Sequence, residues 1–190
     1  MIKRELYEKV YDILEKVTPL QSDCGALCGK ACCHSPDEDA GMYLFPGEEA
    51  MYSEVPPWLK IELSDFTYGN NKSVLIAICT DRCQRELRPL ACRIFPLTPY
   101  MAHNGVMSIK IDPRAVPMCP LAKQFASDTL DENFVDAVVR AFRLLSKEKE
   151  IQSFVLGISR LIDEQERLLN LFISNHRGKK QRGAIRRKKR

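Results

Sequence analysis

The chain has 190 residues, 45% of them hydrophobic and 28% charged, a balance typical of one globular domain and not of a fibre or a disordered chain. No stretch approaches the roughly eighteen uninterrupted apolar residues of a membrane span, and the opening segment carries acids that secretory and transit peptides lack. We therefore expect a cytoplasmic protein without a membrane partner, whose net charge of +4 is unevenly distributed along the chain.

The first element in chain order is an amphipathic helix. Apolar residues recur at helical spacing, charged residues fill the other positions, and Pro19 ends the pattern. The apolar positions are Ile2, Leu6, Val10, Ile13, Leu14 and Val17. Residues 21–41 then mix glycines with cysteines and predict a cysteine-bearing loop or a short helical turn.

The middle of the chain predicts a short helix and a small antiparallel sheet. Proline and acids at 45–50 suit the first turn of a helix, which Pro56 and Pro57 must soon end. After a turn at 69–71, residues 73–79 have the composition of a buried strand. Two further strands, at 97–102 and 106–111, flank Asn104-Gly105, a hairpin signal because both residues tolerate positive φ.

The remainder of the chain predicts helices. Apolar residues recur on one helical stripe from Phe134 to Leu145 and on another from Ile151 to Phe172. The charged segment 147–150 between them is a bend or an exposed turn of one long helix, and we expect two helices. We therefore expect an α+β protein, a small helix-rich domain with a cysteine-rich irregular metal-binding centre, a short antiparallel hairpin or sheet and C-terminal helices. The expected units are a cysteine-rich domain with the N-terminal helix (1–130), a helical segment packed on it (131–175) and a basic, disordered tail (176–190).

The tail accounts for the uneven charge. Residues 176–190 contain nine Lys and Arg and no acid, which leaves a body with 20 basic and 25 acidic residues and a net charge of −5. Such a run binds nucleic acid through its phosphates, or it is a disordered, solubilising end. It contains no aromatic residue, so the base stacking of single-strand binders is missing.

Eight cysteines are the strongest functional signal in the sequence. Thiols stay reduced in the cytosol, so cysteines in this number favour metal ligands over disulfides. Thiols that merely fill the core are the other alternative. The predicted ligand pool is Cys24, Cys28, Cys32, Cys33, Cys79, Cys83, Cys92 and Cys119.

The cysteines fall into two groups. Four lie within ten residues in a Cys-x3-Cys-x3-Cys-Cys run, where several thiolates can meet one ion at little cost in chain entropy. The second group spans 79–119 and contains an Arg-Pro-x-x-Cys-Arg-x-Phe-Pro block and a late Cys-Pro. Arg82, Arg88 and Arg93 are candidates to neutralise the thiolates, or they are solvated surface residues.

These motifs resemble those of the cysteine-cluster proteins described as a zinc- or iron-chelating domain, a family that includes the flagellin lysine N-methylases. The resemblance covers residues 23–120, and the family's eight cysteines match the eight of this chain one by one. It implies a metal-binding protein with a structural or redox role, whose cofactor is zinc or an iron–sulfur cluster. Most members are described only as metal-chelating, so the resemblance implies no activity beyond that.

Two alternative functions remain open. One is an enzyme that methylates lysine side chains of a protein substrate, as the resemblance suggests. No glycine-rich loop follows a strand to bind S-adenosylmethionine, however, and Ala31 stands where a radical enzyme of that cofactor needs cysteine. The other is a nucleic-acid-associated factor that acts through the tail.

The histidines and one acidic run complete the candidates. His34 follows the double cysteine and could replace one thiolate as a metal ligand. His103 and His176 are not catalytic candidates. The acidic run at 37–39 is expected to be a solvated loop rather than part of a site.

Overall fold

The computed structural model describes residues 2–22, 24–33, 41–80, 83–123 and 130–187, and the side chains of the last helix as far as Leu168. The α-helices are α1 (Arg4–Leu14), α2 (Gly25–Cys28), α3 (Leu90–Ile94), α4 (Pro120–Lys123), α5 (Glu132–Leu145) and α6 (Lys149–Arg187). The strands are β1 (Met42–Tyr43), β2 (Leu59–Tyr68), β3 (Lys72–Cys79), β4 (Leu97–Met101) and β5 (Met107–Ile111). Short 3₁₀ helices lie at Ala31–Cys33, Glu48–Met51, Arg85–Leu87 and Pro113–Ala115.

Helix α1 packs against α5, and the two form one wall of the main core. The apolar stripe of α1 buries Tyr7, Val10, Tyr11 and Leu14. Helix α5 is capped by Asp131, whose carboxylate accepts hydrogen bonds from the backbone N–H groups of Asn133 (2.8 Å) and Phe134 (3.3 Å). The predicted N-terminal helix is confirmed, although it ends at Leu14 and not at Val17.

A three-stranded antiparallel sheet has the order β1-β3-β2. Its central strand β3 is the predicted buried strand, in which Ala77 lies opposite Met42 of β1 and Ile61 of β2. The sequence analysis missed β1 and β2. In β2, apolar and polar residues alternate from Leu59 to Ser64 and again from Phe66 to Tyr68, but the phase changes where the register shifts between Leu63 and Thr67. This alternation and the turn at 69–71 were the usable signals, since a tight turn before a strand implies an antiparallel partner on its other side.

The predicted hairpin is confirmed as β4 and β5. In its turn, Gly105 adopts a φ of +79°, and the side-chain oxygen of Asn104 accepts a hydrogen bond from the N–H of Val106 (3.0 Å). The hairpin packs against α6. There the hydroxyl of Ser159 accepts a hydrogen bond from the N–H of Met101 at 2.8 Å, so the strand edge is paired with the helix.

The irregular segments have the kind of structure that the sequence predicts for them. The helix predicted at 45–50 is the short 3₁₀ helix Glu48–Met51, which follows Gly47 at a φ of +85°. A Cβ at Gly47 would lie 2.9 Å from the Cβ of Ile2, so this position favours glycine on two grounds. The predicted loop or helical turn at 21–41 contains α2 and a 3₁₀ helix, while residues 23 and 34–40 lie outside the described residues.

The two predicted C-terminal helices are confirmed as α5 and α6. Helix α6 buries Ile151, Phe154, Val155, Ile158 and Ile162. Its helical backbone extends to Arg187, and the disorder expected of residues 176–190 stays a prediction. Residues 188–190 lie outside the described residues.

The mixed helix-and-sheet architecture with antiparallel strands and C-terminal helices is therefore confirmed. The boundaries at residues 130 and 175 stay predictions, as does a metal-binding centre. Within the described ranges, no helix combines the length and the apolar character needed to cross a bilayer.

Phe154→Ala tests the packing of α6 on the core. The Phe154 ring lies 5.1 Å from that of Phe45 and 5.5 Å from that of Tyr68, and the side chain is 2% exposed. Its removal should lower the free energy of unfolding by about 3–5 kcal/mol in urea titrations followed by circular dichroism. Leu161→Ala on the same helix, where the leucine is 39% exposed, should cost clearly less. Equal losses would contradict this account of the core.

Candidate metal centre

The first four cysteines lie on a doubled-back segment, residues 24–33. Helix α2 is a single turn that ends at Gly29, whose φ of +59° is a left-handed cap. Lys30 also has a positive φ, of +60°, and its N–H donates to the carbonyl of Gly25 at 3.1 Å. Two consecutive left-handed residues turn the chain back. Cys24 and Cys28 are half-buried on the first arm, and the vicinal pair Cys32 and Cys33 is exposed on the second.

The second group of cysteines lies at the end of the sheet and in α3. Cys79 is the last residue of β3 and pairs with Leu59, and Cys92 lies in the middle of α3. Cys79 and Cys83 pack against a small apolar cluster that is separate from the main core. Its members are Leu44, Tyr52, Trp58, Leu59 and Ala77. Cys79, Cys83 and Cys92 are all half-buried, so they are held by packing yet reachable from outside.

The structure brings the two groups together. The thiols of Cys33 and Cys83 lie close enough to shift each other's pKa, and the Sγ atoms of Cys32 and Cys33 lie 3.9 Å apart. Cys92 lies within electrostatic reach of Cys33 and Cys79. Cys32 is likewise coupled to Cys24, Cys28 and Cys92. Seven of the eight predicted ligands therefore share one region.

Crowding of the thiols changes their acidity. The neighbouring thiol of Cys33, followed by burial, raises the pKa of Cys83. Burial raises the pKa of Cys92, and the neighbouring thiols of Cys79 and Cys33 add to it. The hydrogen bond from its neighbour lowers the pKa of Cys32. Thiols that repel one another's negative charge in this way keep their protons until a cation is bound, and metal binding then releases those protons.

Of the two candidate arginines that the structure describes, Arg88 contacts this group. Nη2 of Arg88 donates to Sγ of Cys83 at 3.3 Å, which supports the prediction that it neutralises thiolate charge. Arg93 has another role. It is 9% exposed, and its guanidinium donates to the backbone carbonyls of Arg88 (2.8 Å) and Glu86 (2.7 Å). It therefore fixes the backbone that carries Arg88, while Arg82 lies outside the described residues.

Two buried N–H donors near the thiols lack a partner among the described residues. They are Nε of Arg88 and Nε1 of Trp58. Arg88 contacts Cys83, and Trp58 belongs to the apolar cluster on which Cys79 and Cys83 pack. Buried donors are normally paired, so unpaired ones point to a place where a further acceptor or negative charge is accommodated. This observation fits a thiolate–metal centre.

A buried carboxylate holds the second cysteine group in place, and the sequence analysis missed it. Oε1 of Glu48 accepts hydrogen bonds from the hydroxyl of Tyr11 (2.7 Å) and the N–H of Leu90 (2.6 Å). Oε2 accepts a hydrogen bond from the N–H of Phe45 at 2.9 Å. Burial raises the pKa of Glu48, while these donors and the positive charge of Arg93 oppose that rise. Because Leu90 opens α3, Glu48 determines where Cys92 lies.

The sequence contains a weak signal for this residue. Glu48 and Glu49 were both interpreted as acids of a helix start, and only the fold shows that Glu48 is fully buried while Glu49 is exposed. A glutamate flanked by aromatic and apolar residues, as in the segment 42–52, is the pattern that could have raised the question.

The other candidates lie elsewhere. Cys119 is 9% exposed and belongs to the main core, against which Cys24 also packs. His103 is exposed in the hairpin turn. His34 and the acidic run 37–39 lie outside the described residues, and the side chain of His176 is likewise not described.

Within the described part of the chain, no three His, Cys, Asp or Glu side chains stand close enough together to hold a metal ion as arranged. The thiols are gathered in one region without meeting at one point. Their chemistry nevertheless suits zinc or an iron–sulfur cluster, since both take thiolate ligands. A nearby arginine suits them as well, because four thiolates exceed the charge of one divalent ion.

Comparison of the chain with protein-family models, with curated proteins and with solved structures finds no match. The resemblance to the cysteine-cluster proteins therefore rests on the motifs quoted above, and membership of that family stays a prediction.

Glu48→Gln tests the buried carboxylate. Glutamine has one acceptor oxygen in place of two and presents an NH₂ group to one of the three donors. The variant should lose about 2 kcal/mol of unfolding free energy, as for a hydrogen bond to a charged group. Glu49→Gln is the matched control, because Glu49 is the exposed neighbour. Equal values for the two variants would show that the three hydrogen bonds contribute little.

Proposed function

We propose that this protein binds metal through its clustered cysteine thiolates, as zinc or as an iron–sulfur cluster, in a structural or redox role. The observation that carries the proposal is the proximity of Cys33 and Cys83, two thiols about fifty residues apart in the sequence that shift each other's pKa. Sulfurs brought together from distant segments are what a thiolate centre requires.

The exposure of two of the cysteines favours metal binding over the alternative that the thiols only fill the core. Cysteines in the core are buried like small hydrophobic residues, yet Cys32 and Cys33 are both exposed. Arg88 also contacts Cys83 through a charged donor. A cation beside an apolar neutral thiol gains little, whereas beside a thiolate it forms a charge-assisted hydrogen bond.

The proposed ligands differ in where they lie relative to one another in the structure. Cys33, Cys79, Cys83 and Cys92 influence one another's pKa. Cys24, Cys28 and Cys32 lie on the segment 24–33, whereas Cys119, also in the predicted pool, lies in the main core. When bound, the metal would supply folding free energy by linking the segments and, as an iron–sulfur cluster, electron transfer. The chain itself holds the thiols, provides Arg88 as countercharge and positions α3 through Glu48.

Metal analysis of the protein purified without oxygen is the direct test. Elemental analysis should find zinc or iron in stoichiometric amount. Iron accompanied by acid-labile sulfide and a brown absorbance would identify a cluster, and colourless zinc protein would identify a zinc site. Protein that is folded and free of both metals would refute the proposal.

Substitution of the thiols separates metal binding from packing. Cys28→Ala and Cys92→Ala should each lower the metal content and the melting temperature, the latter by more than about 5 °C, because metal binding contributes to folding. Asp37→Ala, in the acidic run, should change neither quantity. Small and equal effects of all three substitutions would favour thiols that only fill space.

Cys119→Ala addresses the ligand that lies in the main core. If Cys119 coordinates metal, the variant should lose metal as Cys92→Ala does, which elemental analysis measures. A loss of about 1 kcal/mol in stability with full metal content would instead remove Cys119 from the ligand pool and leave it as a core residue.

A further inference from the structure

Helix α6 is anchored to the body along its first half. Beyond its buried apolar residues, Oδ1 of Asp163 accepts a hydrogen bond from the hydroxyl of Tyr100 at 2.9 Å. Three residues later, Glu166 lies 3.4 Å from Nζ of Lys110. Among the described side chains, Glu166 is the last in α6 that forms an ion pair with another element of the fold. These anchors hold the helix axis against the hairpin.

The charge of α6 changes at the residue where these contacts end. Glu166 is the last acid of the chain, and residues 167–190 contain ten Lys and Arg. The backbone of α6 stays helical through this stretch to Arg187, which is about 30 Å of helix at 1.5 Å per residue. The basic residues therefore continue an anchored helix, whereas the body carries a net charge of −5 outside residues 176–190.

The amino-acid composition of the basic segment indicates which kind of polyanion it binds. A helix that lies on an anionic membrane carries apolar residues through the same stretch as its basic ones, but residues 176–190 contain only Ala184 and Ile185 as aliphatic residues. A single strand would be bound by stacking on aromatic rings, and this segment has none. Duplex phosphates need only closely spaced positive charge.

We infer that residues 176–187, the basic end of α6, bind double-stranded nucleic acid through its phosphates and without sequence preference. The acidic body contributes no affinity and is held away from the duplex by charge repulsion. This inference is independent of the thiolate centre.

Fluorescence anisotropy with the full-length protein tests it on short DNA and RNA duplexes of mixed sequence. Affinity should fall by about a thousandfold between roughly 50 and 200 mM salt, as for proteins that neutralise about six or more phosphates. A tail variant replaces six basic residues by glutamine, which preserves length and helix propensity. The replaced residues are Arg177, Lys179, Lys180, Arg182, Arg186 and Arg187.

A matched control variant removes the same charge from the body. It replaces six exposed basic residues by glutamine, namely Lys3, Lys9, Lys16, Arg140, Arg143 and Lys147. The tail variant should lose at least about a hundredfold in affinity at low salt, and the control should change it by less than about threefold. The inference is overturned if the full chain does not bind either duplex at low salt, if the control loses as much as the tail variant, or if vesicles with anionic lipid bind more tightly than the duplexes.

Discussion

The arrangement of the cysteine region depends on one buried carboxylate. Glu48 joins three separate segments, because it accepts hydrogen bonds from Tyr11 of α1, from Phe45 next to the sheet and from Leu90 at the start of α3. A carboxylate without such donors would be very costly inside a protein, so the segments must meet at this point for the chain to fold. The position of Cys92 follows from that requirement.

Much of the fold was predictable because it depends on local patterns. The helices α1, α5 and α6 show regular apolar spacing, and the hairpin has Asn104-Gly105 at its turn. Strand β2 also has a local pattern, since apolar and polar residues alternate from Leu59 to Ser64 and again from Phe66 to Tyr68, with a change of phase at the register shift. The disorder of the basic tail stays a prediction, because charge composition alone does not distinguish a charged helix from a solvated coil.

The candidate centre was predictable as a set of residues but not as an arrangement. Spacing singled out the cysteines, yet only the fold shows that Cys33 lies near Cys83 while Cys119 lies in the main core. Similarly, Arg88 and Arg93 look alike in the sequence. One contacts a thiol and the other donates to backbone carbonyls, a difference that arises from long-range packing and has no local signature.

The two left-handed residues at the bend of the first cysteine segment have a consequence for handling the molecule. Gly29 and Lys30 reverse the chain direction, so that the second arm of the segment 24–33 carries the two thiols that are most exposed to solvent, Cys32 and Cys33. Alkylating reagents and dissolved oxygen will reach this arm before the half-buried sulfurs behind it. If Cys32 and Cys33 are modified before the half-buried thiols, the two arms of the segment 24–33 are folded together as in this structure.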